Sequence, residues 1–317
     1  MSEPLPKVLF TLNAPEDHLA PLRELAEVRI LENGFSAASR EVTLREIRDC
    51  TVVISQGELR VDKELLDAAP HLRMVANVAM GIDNLDLEEL QKRNIIATNT
   101  PAAFAESTAD LTMGLLLALT RRIAESDRFV RTGEWAGGME PLRWEGMQIG
   151  GKTLGIIGYG RIAKLVEQRA LAFGMKVIHT RSRVTGHENE RTLDGLLGEA
   201  DIVVVLVPLT KQTTHLINRD RLARMKPGAL FINVARGKVM DETAVVEALQ
   251  SGHLSGAAFD VFENEPVVNE ALFPMDNVVL TPHIGGATRE QRKAGRLEAA
   301  GEVARFLRGE KLVSQVC

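Results

Sequence analysis

Apolar residues fall in short β-branched runs, separated by stretches whose apolar positions recur at helical spacing, and this alternation predicts parallel sheets with crossover helices. Two series of runs are present. The first holds KVLFT (7–11), TVVIS (51–55), RMVAN (73–77) and IIATN (95–99), with helical patterns near 15–27, 62–69 and 86–93. The second holds TLGIIG (153–158), MKVIHT (175–180), DIVVVLV (201–207), ALFINV (229–234), AAFDV (257–261) and NVVLT (277–281). Several runs of the second series are apolar without alternation, the pattern of strands covered on both faces. Between the series lies AESTADLTMGLLLALTRRIAESDRFVRTGEW (105–135), a helical stretch suited to joining two domains or packing against another subunit. The expected fold is therefore α/β, with two doubly wound parallel sheets.

Composition narrows the function classes. A chain of 317 residues has room for two domains. Its formal net charge of −5 provides no basic field of the kind that binds nucleic acid or anionic membrane, so neither is expected as a partner. The two cysteines, Cys50 and Cys317, form neither a disulfide framework nor a metal-ligand pattern. No metal is expected. MSEPLPK carries no apolar leader segment, and runs such as IVVVLVPL (202–209) are too short to span a bilayer, which predicts a cytoplasmic protein.

Two glycine motifs compete as phosphate binders. GMQIGGKT (146–153) satisfies the Walker A spelling, but Lys152 and Thr153 lead into a predicted strand where a P-loop requires a helix, and the motif is rejected. IIGYGRIA (156–163) has the required context of strand, turn and helix. Gly158 makes the tight turn, Gly160 lets the main chain approach a pyrophosphate, Ala163 permits close helix packing, and Tyr159, Arg161 and Ile162 complete the turn. The next strand ends near Thr180, where an NAD enzyme places an acid against the ribose 2′-hydroxyl. Here Arg181, Ser182 and Arg183 follow instead. Guanidinium groups bind phosphate oxygens with paired donors, so NADP is the preferred cofactor and NAD an acceptable one. The competing reading makes both arginines solvated loop residues that accept either cofactor.

Ligands of open parallel sheets bind beyond the carboxyl ends of the strands. Arg236 follows the run at 229–234, Glu265 the run at 257–261 and His283 the run at 277–281. Singly, each also reads as turn decoration, a solvated carboxylate, or a histidine bonded to a local carbonyl. Together they form a set for reducing a 2-keto acid: Arg236 holds the carboxylate and polarises the carbonyl, His283 delivers the proton, and Glu265 orients and charges His283. The other histidines, His18, His71, His179, His187, His215 and His253, show no such partners, and His179 reads as structural.

GYGRIA, VPLTKQTTHLI, MKPGALFINVARGKVMDETAVVEAL, SGAAFDVFENEP and VVLTPHIGGAT together resemble the D-isomer-specific 2-hydroxyacid dehydrogenases over nearly the whole chain. ANVAMGIDNLDLEELQKRNI and DRFVRTGEW are most similar to glyoxylate and hydroxypyruvate reductases within that family. The resemblance implies two Rossmann-like domains with the active site in the cleft between them. The substrate-binding domain would comprise 1–99 plus 287–317, and the dinucleotide-binding domain 100–286. It implies Arg236, Glu265 and His283 as the catalytic triad, backbone amides of Ala79, Met80 and Gly81 for the substrate carboxylate, and Thr108, Pro208, Thr213, Val234, Ala235, Asp260 and Gly285 around the coenzyme. Met80 stands where the family commonly has a small residue, which narrows the pocket. The helix at 105–120 would support a homodimer, with Trp135 and Trp144 packed in the core or the interface. Alternatives within and beyond the enzyme class are a 2-ketogluconate or broad 2-keto acid reductase, and a non-catalytic nicotinamide-sensing protein similar to corepressors of this fold.

Overall fold

A computed structural model describes residues 4–11, 14–31, 39–138, 140–183 and 186–317. The chain divides into two compact units, Met1–Phe104 with Ala287–Cys317, and Ala105–Gly286.

The first unit contains five parallel strands, β1 (Lys7–Phe10), β2 (Glu27–Ile30), β3 (Val52–Gln56), β4 (Met74–Val78) and β5 (Ile96–Thr98), in the order β2-β1-β3-β4-β5. Alternate residues serve opposite faces. Leu9, Val53, Val75 and Ala97 enter one core cluster, while Val8, Phe10, Ile54, Met74 and Ala76 enter another with Ala299, Ala300, Val303 and Ala304 of the C-terminal helix Arg289–Leu307. Alanines on that helix face let its backbone come close to the sheet. Strand β2 departs from the expected helix over 15–27: only Glu16–Leu22 is helical, as a 3-10 turn containing Pro21. Its sequence EVRI is half charged because β2 is an edge strand, and Arg29 faces Glu46 and Asp49.

The second unit has six parallel strands, β6 (Thr153–Ile157), β7 (Lys176–Thr180), β8 (Ile202–Val205), β9 (Ala229–Asn233), β10 (Leu254–Phe259) and β11 (Val278–Leu280), ordered β11-β10-β9-β8-β6-β7. Thr153 opens β6, so the Walker-like spelling precedes a strand. Ile157, Val203, Val205, Phe231 and Phe259 point into one core, and Leu154, Ile156, Ile202, Val204 and Ile232 into the other. Burial on both faces explains why these runs are apolar throughout, each such side chain contributing about 1.5–3 kcal/mol. The strand order reverses between β6 and β8, which opens a crevice at their carboxyl ends.

Helix starts are locally encoded. Asp62, Asp86, Thr192, Asn218, Asp241 and Thr288 each accept the N–H three residues on. The 105–135 stretch, read as one helical segment, breaks into Ala105–Thr120 and Ile123–Arg131 at Arg122, whose φ of 52° is left-handed. Arg122 there turns back onto the buried Glu125 at 2.6 Å. No helix among the described residues is long and apolar enough to cross a membrane.

Candidate active site

The glycine turn follows β6. Gly158 has φ 91°, and a Cβ there would lie 2.6 Å from Val207 Cγ1 and 2.9 Å from the Leu206 carbonyl oxygen, so only glycine fits beside the end of β8. Its N–H donates to Thr180 O at 3.1 Å, tying the turn to the end of β7. A Cβ on Gly160 would meet nothing within 4 Å. That open face lies at the N-terminus of the helix Arg161–Ala172, whose first N–H groups receive no side-chain cap, while Ala163 is buried against the sheet. Open backbone and helix dipole suit a pyrophosphate, and the residues present fit a dinucleotide.

Arg181 leaves the end of β7 with its guanidinium 4.6 Å from the centre of the Tyr159 ring. Its Nε is buried and has no hydrogen-bond partner among the described residues. Ser182 and Arg183 are exposed beside it. Thr213 is engaged within its own loop, its hydroxyl donating to Pro208 O at 2.6 Å. Thr108 lies at the Gly285 Cα, where a Cβ would be 3.4 Å from the Thr108 hydroxyl oxygen.

The carboxyl edge of β9, β10 and β11 carries the charged groups. Asn233, fully buried at the end of β9, accepts from Ala235 N at 3.0 Å and donates Nδ2–H to Arg236 O at 3.0 Å, so it braces the Val234–Arg236 turn. Arg236 bonds Ala235 O through Nη1 at 2.8 Å. Next to it, a Cβ on Gly237 would fall on the Phe262 carbonyl and the Glu263 nitrogen. Glycine is required there for the Arg236 turn to pass against the chain segment bearing Glu265.

Glu265 receives the Phe262 N–H on Oε1 at 3.0 Å and faces His283 Nδ1 with Oε2 at 2.8 Å. Burial pushes the Glu265 carboxyl up, but the His283 hydrogen bond, the Phe262 N–H and the charges of His283 and Arg236 outweigh it and hold it below its ordinary value. The hydrogen bond from Glu265 is the largest influence on His283 and raises its pKa above the ordinary 6.5, against burial and the Arg236 charge. His283 sits at φ 52° after β11. Asp260, buried at the end of β10, holds that loop: it accepts from the Thr281 hydroxyl at 2.7 Å and from Ile284 N and Gly285 N at 2.8 Å each. Both Asp260 oxygens are thus spent on the His283 loop.

Described by itself, the first unit carries the Ala79-Met80-Gly81 loop after β4. Its three carbonyls accept from Thr100 N at 3.0 Å, Asn99 Nδ2 at 2.9 Å and Asn77 Nδ2 at 3.0 Å. The Ala79 N–H is turned back onto Asn77 O at 2.8 Å. Among the described residues no group of three His, Cys, Asp or Glu side chains is arranged to hold a metal ion.

Three residues that the sequence analysis does not name support these sites. Asn233 and Thr281 brace the loops, and their signal was a polar residue closing an apolar strand. Glu167 accepts the Tyr159 hydroxyl proton in a hydrogen bond. His215, for which the sequence shows no partners of the kind expected at His283, meets Glu263 at 2.7 Å, a pairing across 48 positions that only tertiary folding creates.

A family model described as D-isomer specific 2-hydroxyacid dehydrogenase, NAD binding domain, matches residues 113–285. The chain belongs to this family. Among the family's curated proteins, a glyoxylate reductase of Thermococcus onnurineus is 45% identical over 314 residues, covering 96% of this chain and 94% of that one. The structure of the TT0316 protein from Thermus thermophilus matches with a TM-score of 0.91 and 38% identity, over 98% of this chain and 100% of that one. An NADPH-dependent glyoxylate/hydroxypyruvate reductase from Sinorhizobium meliloti, solved with NADP and malonate, matches with a TM-score of 0.86 and 31% identity, over 98% and 97% of the two chains. This 2-hydroxyacid dehydrogenase is glyoxylate reductase-like within the family.

Proposed function

We propose that this dehydrogenase reduces a small 2-keto acid, glyoxylate or hydroxypyruvate, to the D-2-hydroxy acid and prefers NADPH to NADH. The observation that carries the reading is the His283–Glu265 pair at 2.8 Å within the electrostatic reach of Arg236, on the sheet edge that also bears the glycine turn. In this reading Ala105–Gly286 is the dinucleotide-binding domain and the other unit the substrate-binding domain. Gly158, Gly160 and the start of the Arg161 helix hold the pyrophosphate, and Arg181 meets the 2′-phosphate. When bound, the nicotinamide supplies the hydride. His283 gives its Nδ1–H to Glu265 and keeps the Nε2 proton for the substrate oxygen, as a general acid. Arg236 binds the substrate carboxylate and stabilises charge developing on the carbonyl oxygen. The names of the Thermococcus and Sinorhizobium relatives support the substrate class, and the NADP complex of the latter supports the cofactor.

A panel of 2-keto acids with both cofactors tests the reading. NADPH oxidation with glyoxylate or hydroxypyruvate should exceed that with 2-ketogluconate in kcat/KM. Cofactor binding without turnover on any member would reject it and favour a nicotinamide sensor.

A pH profile tests the His283–Glu265 coupling. Reduction needs His283 protonated, and its raised pKa carries that form above the ordinary 6.5. The rate should therefore hold through neutrality and fall as pH rises through the His283 pKa. In Glu265→Gln the falling limb should move to lower pH, because the hydrogen bond that raises the His283 pKa loses its charge. An unmoved limb would show that Glu265 does not set the charge of His283.

The homodimer belongs to the same reading. Ile123, Val130, Trp135 and Leu142 are more than half exposed on one stretch of chain, a surface for a second copy to cover. Trp144, by contrast, packs on Phe129 at 4.9 Å under Arg143. Sedimentation equilibrium showing a monomer at micromolar concentration would exclude the dimer.

A further inference from the structure

Tyr159 is the only tyrosine of the chain and occupies the variable position between Gly158 and Gly160. Its ring lies over the end of β7. It stacks on His179, with ring centroids 3.7 Å apart and planes 15° apart. The Arg181 guanidinium stands 4.6 Å from the centroid of the same ring. The hydroxyl is hydrogen-bonded to Glu167 of the helix Arg161–Ala172. The phenol thus has both an imidazole and a guanidinium packed against its ring and is fastened through its hydroxyl.

His179 is the unusual part. It is fully buried, and neither ring nitrogen has a hydrogen-bond partner among the described residues. A buried polar group without partners is costly, and the neighbouring β7 positions are the aliphatic Val177 and Ile178. What an imidazole offers here that an aliphatic side chain does not is a planar face for Tyr159. Burial, with the Arg181 charge, lowers the His179 pKa and keeps the ring neutral, so it does not repel the guanidinium. Burial and the Glu167 bond push the Tyr159 hydroxyl up to about 12, so the phenol is neutral too.

We propose that Tyr159, seated on His179 and tethered by Glu167, is a positioning residue that holds the Arg181 guanidinium in place for the 2′-phosphate of the cofactor and so helps set the preference for NADP over NAD. The inference rests on the proposed role of Arg181. A free arginine side chain gives up rotamer entropy on gripping a phosphate. Arg181 has given up much of it already, because its guanidinium lies against the phenol ring and its Nε is enclosed. The phosphate then meets a prepared donor, which is where preorganisation contributes affinity. The stretch that spells a dinucleotide turn thereby also carries part of the cofactor selectivity, through the residue between its glycines.

Binding of two adenosine probes, measured by calorimetry, tests this without turnover. Adenosine 2′,5′-bisphosphate carries the 2′-phosphate and 5′-AMP lacks it. Tyr159→Leu should weaken the bisphosphate about three- to tenfold, the weight of one cation–π contact, and leave 5′-AMP nearly unchanged. Tyr159→Phe, which keeps the ring and loses the tether, should retain most of the discrimination. In protein labelled with ring-13C tyrosine, the single signal should move on adding the bisphosphate, and the part of that movement not produced by 5′-AMP should vanish in Arg181→Ser. Equal weakening of both probes in Tyr159→Leu, or a bisphosphate-specific signal that survives in Arg181→Ser, would overturn the positioning of Arg181 by Tyr159. The two readings fail separately. If Arg181→Ser still binds the bisphosphate as wild type does, the 2′-phosphate role of Arg181 is wrong; if Arg181→Ser loses it and Tyr159→Leu does not, only the positioning role of Tyr159 falls.

Discussion

Replacing His283 by Asn should lower kcat for 2-keto acid reduction by about 10²–10⁴, the contribution of a positioned general acid. Asn is the appropriate replacement because His283 sits at φ 52°, a left-handed conformation that Asn tolerates better than most residues. The Asp260 clamp on Ile284 N and Gly285 N should then keep the loop in place. Steady-state kinetics across pH should show a slow enzyme with the His283 limb gone, while cofactor binding by calorimetry persists. Retention of a tenth or more of wild-type kcat would mean that another group delivers the proton.

The second large effect is expected at Arg236. Arg236→Gln should reduce kcat/KM by about 10²–10³, because in the proposed mechanism it removes a charged donor from both the substrate carboxylate and the developing oxyanion. Arg236→Lys keeps the charge without the paired donors and should fall between the two. A pH profile separates this from general damage. The Arg236 charge lowers the His283 pKa, so its removal should move the falling limb of reduction to higher pH, opposite to the shift expected for Glu265→Gln. A limb that stays put, with an unchanged KM for the keto acid, would take Arg236 out of the site.

The kinetic arguments depend on loops being held, and the holding residues differ in how readable they are. Gly158 was legible because part of its requirement is local: strand, turn and helix occur in sequence and a left-handed turn calls for glycine, while the close approach of Val207 and Leu206 adds a tertiary reason the sequence does not display. The need at Gly237 is of another kind, since it arises from the Phe262 carbonyl, brought against it from a later strand end. Strand β2 escaped the pattern because an edge strand has one neighbour and two charged residues among its four, so no apolar run marks it. The break at Arg122 escaped for the reverse reason, as Ile123–Arg131 continues a helical pattern and only the turn onto Glu125 ends the first helix. Ala79 is a further case: the loop was read as three amide donors, and the turn onto Asn77 spends one of them.

The sequence by itself determined the alternation that builds two parallel sheets, the caps that start the helices, the glycine turn, and the types of residue placed after the strands. These follow from spacing along the chain and from the two periodicities of backbone structure. Tertiary structure alone decided the partners: which carboxylate faces His283, which side chains Asp260 and Asn233 brace, and the packing of His179 and Arg181 against the Tyr159 ring. There β6 runs beside β7, with Ile157 opposite Thr180, so Tyr159 and His179, 20 positions apart, become neighbours. Hydrogen bonds and ring contacts act over a few ångströms, and distances that short are set by sheet register and loop closure rather than by order along the chain.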